Sequence, residues 1–442
     1  MNRNLKNTQP GQPDPDFATG GKLTMPTREL PGNDCSGLMA LADNKFLVVN
    51  NQEGGEFIYV ARMTSQGQID DGSGYGDGNR GVAKIFFPNE YVGVIGLGPL
   101  RDGGCLISAY TLTRGQILIR LSRSGALVDG FGKGGVLAIS DLGIATVGQK
   151  WEPKKDSAPR HDLLPDEASN RTSPATRLSF AEQPDGKIVF ASTVESPASS
   201  AGVVVRVTPL GGLDKTFNKV GYAIADLGSG LESIGRGVGS QRGGGLVLFG
   251  TFYSDTGRGA YAVRFHADGT PDKQFRTLKL PGPTIADMSI RERDDLIALV
   301  GGSTEGFEEG QGVIIVLNRD GKPNLVFNEG KPLYTKLQPM GEKWERCAFS
   351  GVGDSALTVS GTTAGSFLTD KTHSVIARLK LTAALDPEFN GKGWYGFNEP
   401  RHLEVTRDMA ILPNGDILVS GAFHAGRDHL LPYGSFVIKL KG

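Results

Sequence analysis

Residues 183–191 read QPDGKIVFA and residues 206–217 read RVTPLGGLDKTF, and these two stretches decide the fold. An Asp-Gly pair in front of a run of β-branched and aromatic residues is a strong signal for a hairpin turn. In the second stretch Arg206 stands eight positions before Asp214, which opens an Asp-x-x-Phe motif that ends at Phe217. This part of the chain is therefore predicted to form about four short strands joined by tight turns.

The Asp-x-x-Phe motif recurs along the chain, and self-similarity at a regular period indicates a repeat architecture. Clear copies begin at positions 14, 214, 272 and 386, and weaker copies begin at 70, 128 and 324. The tight turns that precede apolar runs recur at nearly the same interval of about 60 residues. Two independent markers therefore count the same seven units, of which one is lengthened and one is shortened.

Seven units of about four short strands predict an all-β protein, a seven-bladed β-propeller. The last unit stops after its third strand, at SFVIKLKG (435–442), while the first Asp-x-x-Phe stands alone near the other end of the chain. Residues 14–25 are therefore expected to supply the outer strand of the last blade and to close the ring. We predict a tail at 1–13 and a single propeller over 14–442, with an open β-solenoid as the alternative architecture.

The basic residue and the motif aspartate are predicted to face each other across a hairpin as a structural ion pair. In the fifth unit both members are missing together, as Val316 and Asn324, which supports the pairing. The alternative is that the aspartate makes an Asx turn while the basic side chain extends its charge into solvent. The predicted pairs are Arg62–Asp70, Arg206–Asp214, Arg264–Asp272, Arg378–Asp386 and, between the two chain ends, Lys439–Asp14.

These elements resemble the delta-60 repeat family, a bacterial β-propeller domain of unknown function. The resemblance is strongest over residues 183–217, and the copies at 264–275 and 385–391 match well. It extends over nearly the whole chain, although the first, second and fifth units are degenerate. The resemblance implies a propeller fold and a bacterial source, and it implies no reaction, cofactor or catalytic residue.

One face of the propeller carries two kinds of loop: those between the second and third strands of each blade, and the connections between blades. We expect binding on this face, because long loops on a rigid scaffold often carry function. We call it the loop face. The third unit is lengthened there by a charged, proline-bearing insertion at about 147–174. The candidate binding residues on this face are Trp151, His161, Tyr253, Arg258, Trp344, His402, His424, Arg427, His429 and Tyr433.

Two of these candidates have specific expectations attached. Trp151, inside the insertion, is either an anchor for a partner, since tryptophan is favoured at binding hot spots, or a clamp that holds the insertion on the ring. His402 lies between the sixth and seventh units, and we expect it to converge with the last long loop, residues 422–434.

Two segments suggest a metal site, and neither fits one well. His424 and His429 flank Asp428, but their spacing matches no known metal motif, so a polar recognition loop is favoured. The segment Asp70–Asn79 is rich in oxygen side chains but lacks the alternation and the closing glutamate of an EF-hand, so a glycine-rich turn is favoured over a calcium site. We therefore predict no metal and no cofactor.

The composition excludes several classes of protein. A net charge of −1, from 47 basic and 48 acidic residues, argues against a nucleic-acid coat or a polybasic membrane binder. No apolar run approaches the length of a membrane span, and the N-terminus lacks the apolar region of a secretory signal. The expected location is the cytoplasm or, after export by a route without such a signal, the outside of the cell. The three cysteines are expected to be buried free thiols.

The sequence contains no G-x-S-x-G elbow, no H-E-x-x-H and no Walker A motif. We therefore predict a non-enzymatic interaction scaffold that binds a protein partner through the loop face. A carbohydrate-binding propeller is the alternative, weakened by the fact that the three tryptophans occupy non-equivalent places. A hydrolase or lyase that uses the central channel is less favoured.

Overall fold

The computed structural model describes residues 9–52, 55–144, 180–195, 200–304, 310–363, 368, 371–426 and 431–442. These residues form seven antiparallel sheets of four strands each. Six sheets follow the order of the chain, and the first strand of every blade contacts the first strand of at least one neighbouring blade. The predicted seven-bladed β-propeller is confirmed.

The strands of the first three blades, preceded by the N-terminal strand that joins the last blade, have short and similar lengths. They are β1 (Lys22–Met25); in blade 1, β2 (Asp34–Ala40), β3 (Phe46–Asn51), β4 (Phe57–Met63) and β5 (Val82–Phe86); in blade 2, β6 (Val92–Pro99), β7 (Cys105–Thr111), β8 (Gly115–Leu121) and β9 (Val136–Ala138); in blade 3, β10 (Phe180–Glu182), β11 (Ile188–Glu195), β12 (Ser200–Val207) and β13 (Tyr222–Ile224).

The remaining blades repeat the pattern. They comprise, in blade 4, β14 (Glu232–Ser240), β15 (Leu246–Ser254), β16 (Gly257–Phe265) and β17 (Leu278–Pro281); in blade 5, β18 (Thr284–Ile290), β19 (Ile297–Thr304), β20 (Gly310–Leu317) and β21 (Leu333–Thr335); in blade 6, β22 (Glu342–Ser350), β23 (Ala356–Thr363), β24 (Ser374–Lys380) and β25 (Trp394–Phe397); in blade 7, β26 (Leu403–Ile411), β27 (Ile417–His424) and β28 (Gly434–Leu440). Short 3-10 helices lie at Ala42–Asn44, Asp77–Asn79, Ile139–Leu142, Phe217–Lys219 and Asn328–Gly330.

The two ends of the chain close the ring, as predicted. Strand β1 pairs antiparallel with β28, so that Lys22 lies opposite Ile438 and Met25 lies opposite Ser435. Residues before the motif also contact this blade, because the Gly11 N–H donates to the Lys441 carbonyl at 2.7 Å. Pairing the ends in this way covers the outer edge of β28, which would otherwise be open.

The hydrophobic core lies between blades. Seven clusters of buried apolar side chains each combine residues of two neighbouring blades, including the pair formed by blades 7 and 1. Both faces of each middle strand are therefore covered, as in β11, where residues 188–191 are all fully buried. This explains why runs such as IVFA are continuously apolar and do not alternate with polar residues.

All five predicted ion pairs are present in the structure. Arg206 shows what the pair does: its guanidinium is 2.8 Å from the Asp214 carboxylate, lies over the ring of Phe217, and donates a 2.7 Å hydrogen bond to the Ala267 carbonyl in the next blade. The nitrogen–oxygen distances are 3.0, 2.8, 2.7, 2.7 and 3.0 Å in Arg62–Asp70, Arg206–Asp214, Arg264–Asp272, Arg378–Asp386 and Lys439–Asp14.

The alternative role of the aspartate, an Asx turn, occurs together with the ion pair. One Asp214 carboxylate oxygen accepts from the Thr216 N–H at 3.1 Å while the other oxygen contacts Arg206. In the fifth unit Asn324 keeps the turn, accepting from the Val326 N–H at 3.1 Å, although the ionic partner is gone. The carboxylate therefore both stabilises the local turn and pairs with the basic residue of the neighbouring strand. In blade 5 the turn is kept and only the ion pair is lost.

The motif aromatic residues are buried beneath the following blade. Phe217 of blade 3 lies against the turn that contains Gly269 in blade 4, where a Cβ atom would come within 2.9 Å of the ring. Gly269 also has a φ of 89°, in the left-handed region, so two separate constraints require glycine here. The same turn position is occupied in other blades by Gly67, Gly125, Gly211, Gly321 and Ala383.

Two further sequence-based predictions concern burial and membranes. Cys35, Cys105 and Cys347 are all buried free thiols, as predicted, and burial raises the pKa of the Cys105 thiol to about 12. Within the described part of the chain, no helix has the length and apolar character that crossing a membrane requires.

Candidate functional site

A cleft opens on the loop face of blade 7, at its junction with blade 6. Its volume is about 240 Å³. We call it the blade-7 cleft, and its lining residues are Lys22, Thr24, Met25, Pro26, Glu399, His402, Phe423, Tyr433 and Gly434.

Three connections converge to form the cleft. The chain enters blade 7 through residues 398–402, where the His402 N–H closes a turn by donating to the Glu399 carbonyl at 3.2 Å. Tyr433 stands just before β28, and its N–H donates to the Phe423 carbonyl at 3.0 Å. The third connection leaves β1 towards blade 1, and there Asn33 donates from its side chain to the Pro432 carbonyl at 2.7 Å. The rim is thus held by one hydrogen bond from the connection to blade 1 and by hydrogen bonds within the other two connections.

Three aromatic rings form one side of the cleft. The His402 ring centroid is 5.3 Å from that of Phe423 and 5.5 Å from that of Tyr433, both at tilted angles. The Tyr433 hydroxyl is also hydrogen-bonded to Nδ1 of His402. Phe423 is buried, whereas 45% of Tyr433 is exposed, so the tyrosine presents its ring to solvent at the mouth of the cleft.

A half-buried ion pair lines the cleft as well. Lys22 Nζ is 2.7 Å from Glu399 Oε1, and the two side chains are 25% and 32% exposed. An ammonium group has three donors and an ionised carboxylate has about four acceptor positions, so both partners keep hydrogen-bonding capacity after forming their own contact. The pair therefore offers donors and acceptors side by side without net charge.

Glu404, on the innermost strand of blade 7, lies behind this lining. It is fully buried, and its Oε1 accepts from the Glu399 N–H at 2.8 Å. Burial raises the pKa of the Glu404 carboxyl to about 8, so the group is mainly neutral at pH 7. Burial also raises the pKa of the Tyr433 hydroxyl, and the neighbouring Glu404 and Glu399 carboxyls raise it further.

Blade 6 has a glutamate at the equivalent position, and it makes the same kind of contact with the backbone of the preceding connection. Glu342 is buried, its pKa is raised by burial, and its Oε2 accepts from the Leu337 N–H at 2.8 Å. In both blades the acceptor therefore fixes a backbone N–H five residues earlier, in the connection from the preceding blade. Glu404 thus positions Glu399, and through it one wall of the cleft.

The innermost strands also carry buried charges that link blades 6, 7 and 1. Arg346 Nε lies 3.0 Å from Asp408 Oδ1, and Arg407 Nε lies 3.0 Å from Asp34 Oδ1. The other Asp408 oxygen accepts from the Leu38 N–H at 2.8 Å. These contacts satisfy the charges by joining successive blades, which is a structural role.

The structure brings together two of the sequence-predicted candidates, His402 and Tyr433. Their convergence at the last loop is what the sequence led us to expect for His402. Tyr253 and Arg258 are paired in the β15–β16 hairpin, also on the loop face, but they belong to blade 4 and so lie three blades around the ring from the cleft.

Two candidates do not lie on the surface, and their assignment as binding residues is wrong. Trp344 is fully buried between blades 5 and 6, where its Nε1–H donates to Thr335 Oγ1 at 2.9 Å and where Gly312 leaves the space that the indole occupies. His424 is only 1% exposed because β27 continues to this residue instead of ending before it. The whole insertion at 147–174 lies outside the described residues, and so do four candidates: Trp151, His161, Arg427 and His429.

Among the described residues, no group of three or more His, Cys, Asp or Glu side chains is arranged to hold a metal ion. In the oxygen-rich segment Asp70–Asn79, the Asp70 carboxylate contacts Lys45 at 2.9 Å and Arg62 at 3.0 Å. Asp77 accepts from the Lys84 N–H at 3.2 Å. These carboxylates therefore serve the turn and its neighbouring strands.

Sequence reasoning missed Lys22, Phe423, Glu399 and Glu404. Lys22 looks like an ordinary strand residue, and Phe423 stands at the start of the predicted last long loop without any feature that distinguishes it. Glu404 had a signal, since the three charged residues of the segment LEVTRDMAI, which forms β26, are unusual for a strand buried on both faces. That signal indicated a special environment without revealing which loop it supports.

The sequence profile of a family described as a domain of unknown function (DUF5122) beta-propeller matches residues 183–217 and 244–275. These spans lie in blades 3 and 4, so the match supports an uncharacterised propeller family over part of the chain. A search of curated protein sequences finds no match.

Solved structures with a similar chain path include several proteins of different kinds. The polysaccharide lyase Uly1 is 9% identical, with a TM-score of 0.46 over 96% of this chain and 93% of that one. Semaphorin 1b from Drosophila, extracellular domains 1–2, is 10% identical, with a TM-score of 0.43 over 98% and 88%. A protein of unknown function from Dyadobacter fermentans is 10% identical, with a TM-score of 0.38 over 97% and 100%. No function is transferred from them to this chain.

Proposed function

We propose that this protein is a non-enzymatic recognition scaffold that binds a protein partner through its loop face, with the blade-7 cleft as the anchoring point. The observation that carries the proposal is the pairing of an open, aromatic-walled cleft with exposed apolar side chains in the connection that leads to β28. Leu431 and Tyr433 are 61% and 45% exposed, and they lie two residues apart in the same connection. Tyrosine in a pocket surrounded by apolar contacts is typical of binding hot spots.

Preorganisation supports the same proposal. The hydrogen bond from Asn33 to the Pro432 carbonyl and the bond from Tyr433 to the Phe423 carbonyl hold the rim before any partner arrives. A rim that is already ordered loses less conformational entropy on binding. The delta-60 repeat name and a bacterial source stay predictions from the sequence resemblance.

The test is affinity capture from lysate and culture medium of the source organism, followed by titration of each identified partner with purified protein. Tyr433→Ala and Leu431→Ser are each compared with Tyr334→Ala, which removes an equally exposed tyrosine from blade 5. A variant without residues 147–174 reports separately on the insertion.

A partner that is bound by the parent and by Tyr334→Ala, and at least about tenfold more weakly by the two cleft-rim variants, supports the proposal. A partner bound equally by all of these variants would place the binding surface elsewhere and reject the cleft as the anchor. Retention of binding after removal of 147–174 would show that the insertion is not needed.

A further inference from the structure

We propose that the blade-7 cleft binds one uncharged saccharide unit, which stacks on the Tyr433 ring and hydrogen-bonds to the Lys22–Glu399 pair. This inference deepens the proposed function and rests on it, because it names the chemistry that the anchoring point recognises. The sugar is carried either by a glycosylated partner or by a free glycan.

The size of the cleft favours a single small ring. Drug-sized ligands occupy pockets of about 300–1,000 Å³. The cleft, at about 240 Å³, lies just below this range and is open to solvent on one side through the exposed Tyr433. An open site of this size suits a terminal residue of a larger molecule, with the remainder extending into solvent.

The distribution of apolar and polar groups matches a molecule with two different sides. A pyranose presents a face of C–H groups and a rim of hydroxyls. Tyr433 offers an exposed aromatic ring, and its neighbours, the tilted His402 and the stacked Phe423, limit how far that ring can rotate. Rings that combine an apolar body with a polar edge are suited to such a ligand.

The charges favour an uncharged ligand over an ionic one. Lys22 and Glu399 neutralise each other at 2.7 Å, and each keeps free donors or acceptors. A hydroxyl both donates and accepts, so two adjacent hydroxyls can bond to both members of the pair without breaking it. An anionic ligand would instead compete with Glu399 for Lys22, and a cationic ligand would compete with Lys22 for Glu399.

The buried Glu404 behind the cleft is consistent with a preference for an uncharged ligand. Glu404 adds little negative charge behind the cleft at neutral pH, because its burial favours the protonated form. Its 2.8 Å hydrogen bond to the Glu399 N–H fixes the backbone that carries the acceptor. Glu404 is therefore a positioning residue for the proposed site.

The first experiment measures binding of free sugars to the full-length protein. Uncharged methyl glycosides of glucose, galactose, mannose and N-acetylglucosamine are compared with glucuronic acid by saturation-transfer NMR and calorimetry. The variants are Tyr433→Ala and Glu399→Gln, with Tyr334→Ala as the matched control and circular dichroism as the check on folding.

The expected result is saturable binding of at least one uncharged glycoside with a dissociation constant in the millimolar range, weakened at least about tenfold by each cleft variant and changed less than about twofold by the control. Binding that survives both cleft variants overturns the proposal, as does a tighter complex with glucuronic acid than with methyl glucoside. Absence of saturable binding up to about 20 mM of every glycoside also overturns it.

The second experiment separates this inference from the proposed function and identifies the source of the sugar. A captured partner is titrated before and after enzymatic removal of its glycans. Loss of binding on deglycosylation supports a glycan carried by the partner. Cleft-dependent binding that survives deglycosylation, together with no glycoside binding, keeps the protein-binding proposal and rejects the sugar. Glycoside binding without any partner protein supports the sugar as a free glycan and rejects the protein-binding proposal.

Discussion

Replacing Gly269 with alanine is expected to destabilise the propeller by about 2–4 kcal/mol, through two separable costs. The first is conformational, because Gly269 has a φ of 89°, which alanine adopts only with strain. The second is steric, because the new Cβ would lie 2.9 Å from two ring atoms of Phe217 and 3.0 Å from Cβ of Asn218. Phe217 is fully buried and therefore has little room to move away.

The expected loss of stability is the sum of the two costs less the stabilisation that alanine gains by restricting the unfolded chain. A left-handed conformation costs an alanine about 1–2 kcal/mol. An overpacked core contact costs about 1–3 kcal/mol. Reduced conformational freedom of the unfolded chain stabilises the alanine variant by about 0.4–1 kcal/mol. The balance spans about 1–4.6 kcal/mol with a midpoint near 3 kcal/mol, so the expected loss is about 2–4 kcal/mol.

Two other glycines provide matched controls. Gly391 has a φ of 71° with no atom within 4 Å of an added Cβ, so Gly391→Ala reports the conformational cost less the unfolded-state gain, without any steric cost. Gly243 has neither a positive φ nor a close neighbour, so Gly243→Ala reports the unfolded-state gain alone. The expected order of stability is Gly243→Ala, then Gly391→Ala, then Gly269→Ala.

The assay is reversible guanidinium unfolding, followed by tryptophan fluorescence and by far-ultraviolet circular dichroism. The free energy of unfolding is compared among the three variants and the parent at constant slope. Equal losses in Gly269→Ala and Gly391→Ala would refute the steric part of the reasoning. A Gly269→Ala protein as stable as Gly243→Ala would refute both parts.

Three further predictions follow from other contacts. Ala383→Gly, at the same turn position with a φ of 73°, should raise the unfolding free energy by up to about 1.6 kcal/mol, because relief of strain of about 1–2 kcal/mol outweighs the added freedom of the unfolded chain, about 0.4–1 kcal/mol. A loss above about 0.5 kcal/mol in guanidinium titration would contradict this. Despite the opposing effect of burial, the hydrogen bonds with Thr216 and Lys187 and the charge of Arg206 lower the pKa of Asp214 to about 2, so its charged form stabilises the fold above pH 4. Asp214→Asn should therefore cost about 2 kcal/mol at pH 7 and progressively less as the pH falls towards 2, and a cost independent of pH would argue against the pairing. The folded-state pKa of Glu404 is raised to about 8, so the parent should lose stability as the pH rises from 5 to 8, at up to about 1.4 kcal/mol per pH unit. Glu404→Gln keeps the acceptor for Glu399 and should remove this slope in thermal melts, and an unchanged slope would show that Glu404 is not its source.

The candidate site shows why sequence reasoning reached only part of it. His402 and Tyr433 were found because both stand in predicted loops, where polar and aromatic residues are conspicuous. Trp344 was misassigned because a tryptophan near a predicted loop looks exposed until the neighbouring blade, with its small Gly312, is placed against it. Lys22 belongs to the first strand and Glu399 to the sixth unit, so their contact exists only because the ring closes.

The sequence by itself determined the repeat, the number of blades, the ion pairs and the closure of the ring. Each of these depends on residues close together in the chain or on a pattern repeated seven times, so local spacing carries the information. Only the tertiary structure decided which side chains meet at the blade-7 cleft and which charged groups are buried behind it. Those properties depend on side-chain contacts that occur once, at the junction of blades 6 and 7 and beside the pairing of β1 with β28, and a contact that is not repeated leaves no periodic trace in the sequence.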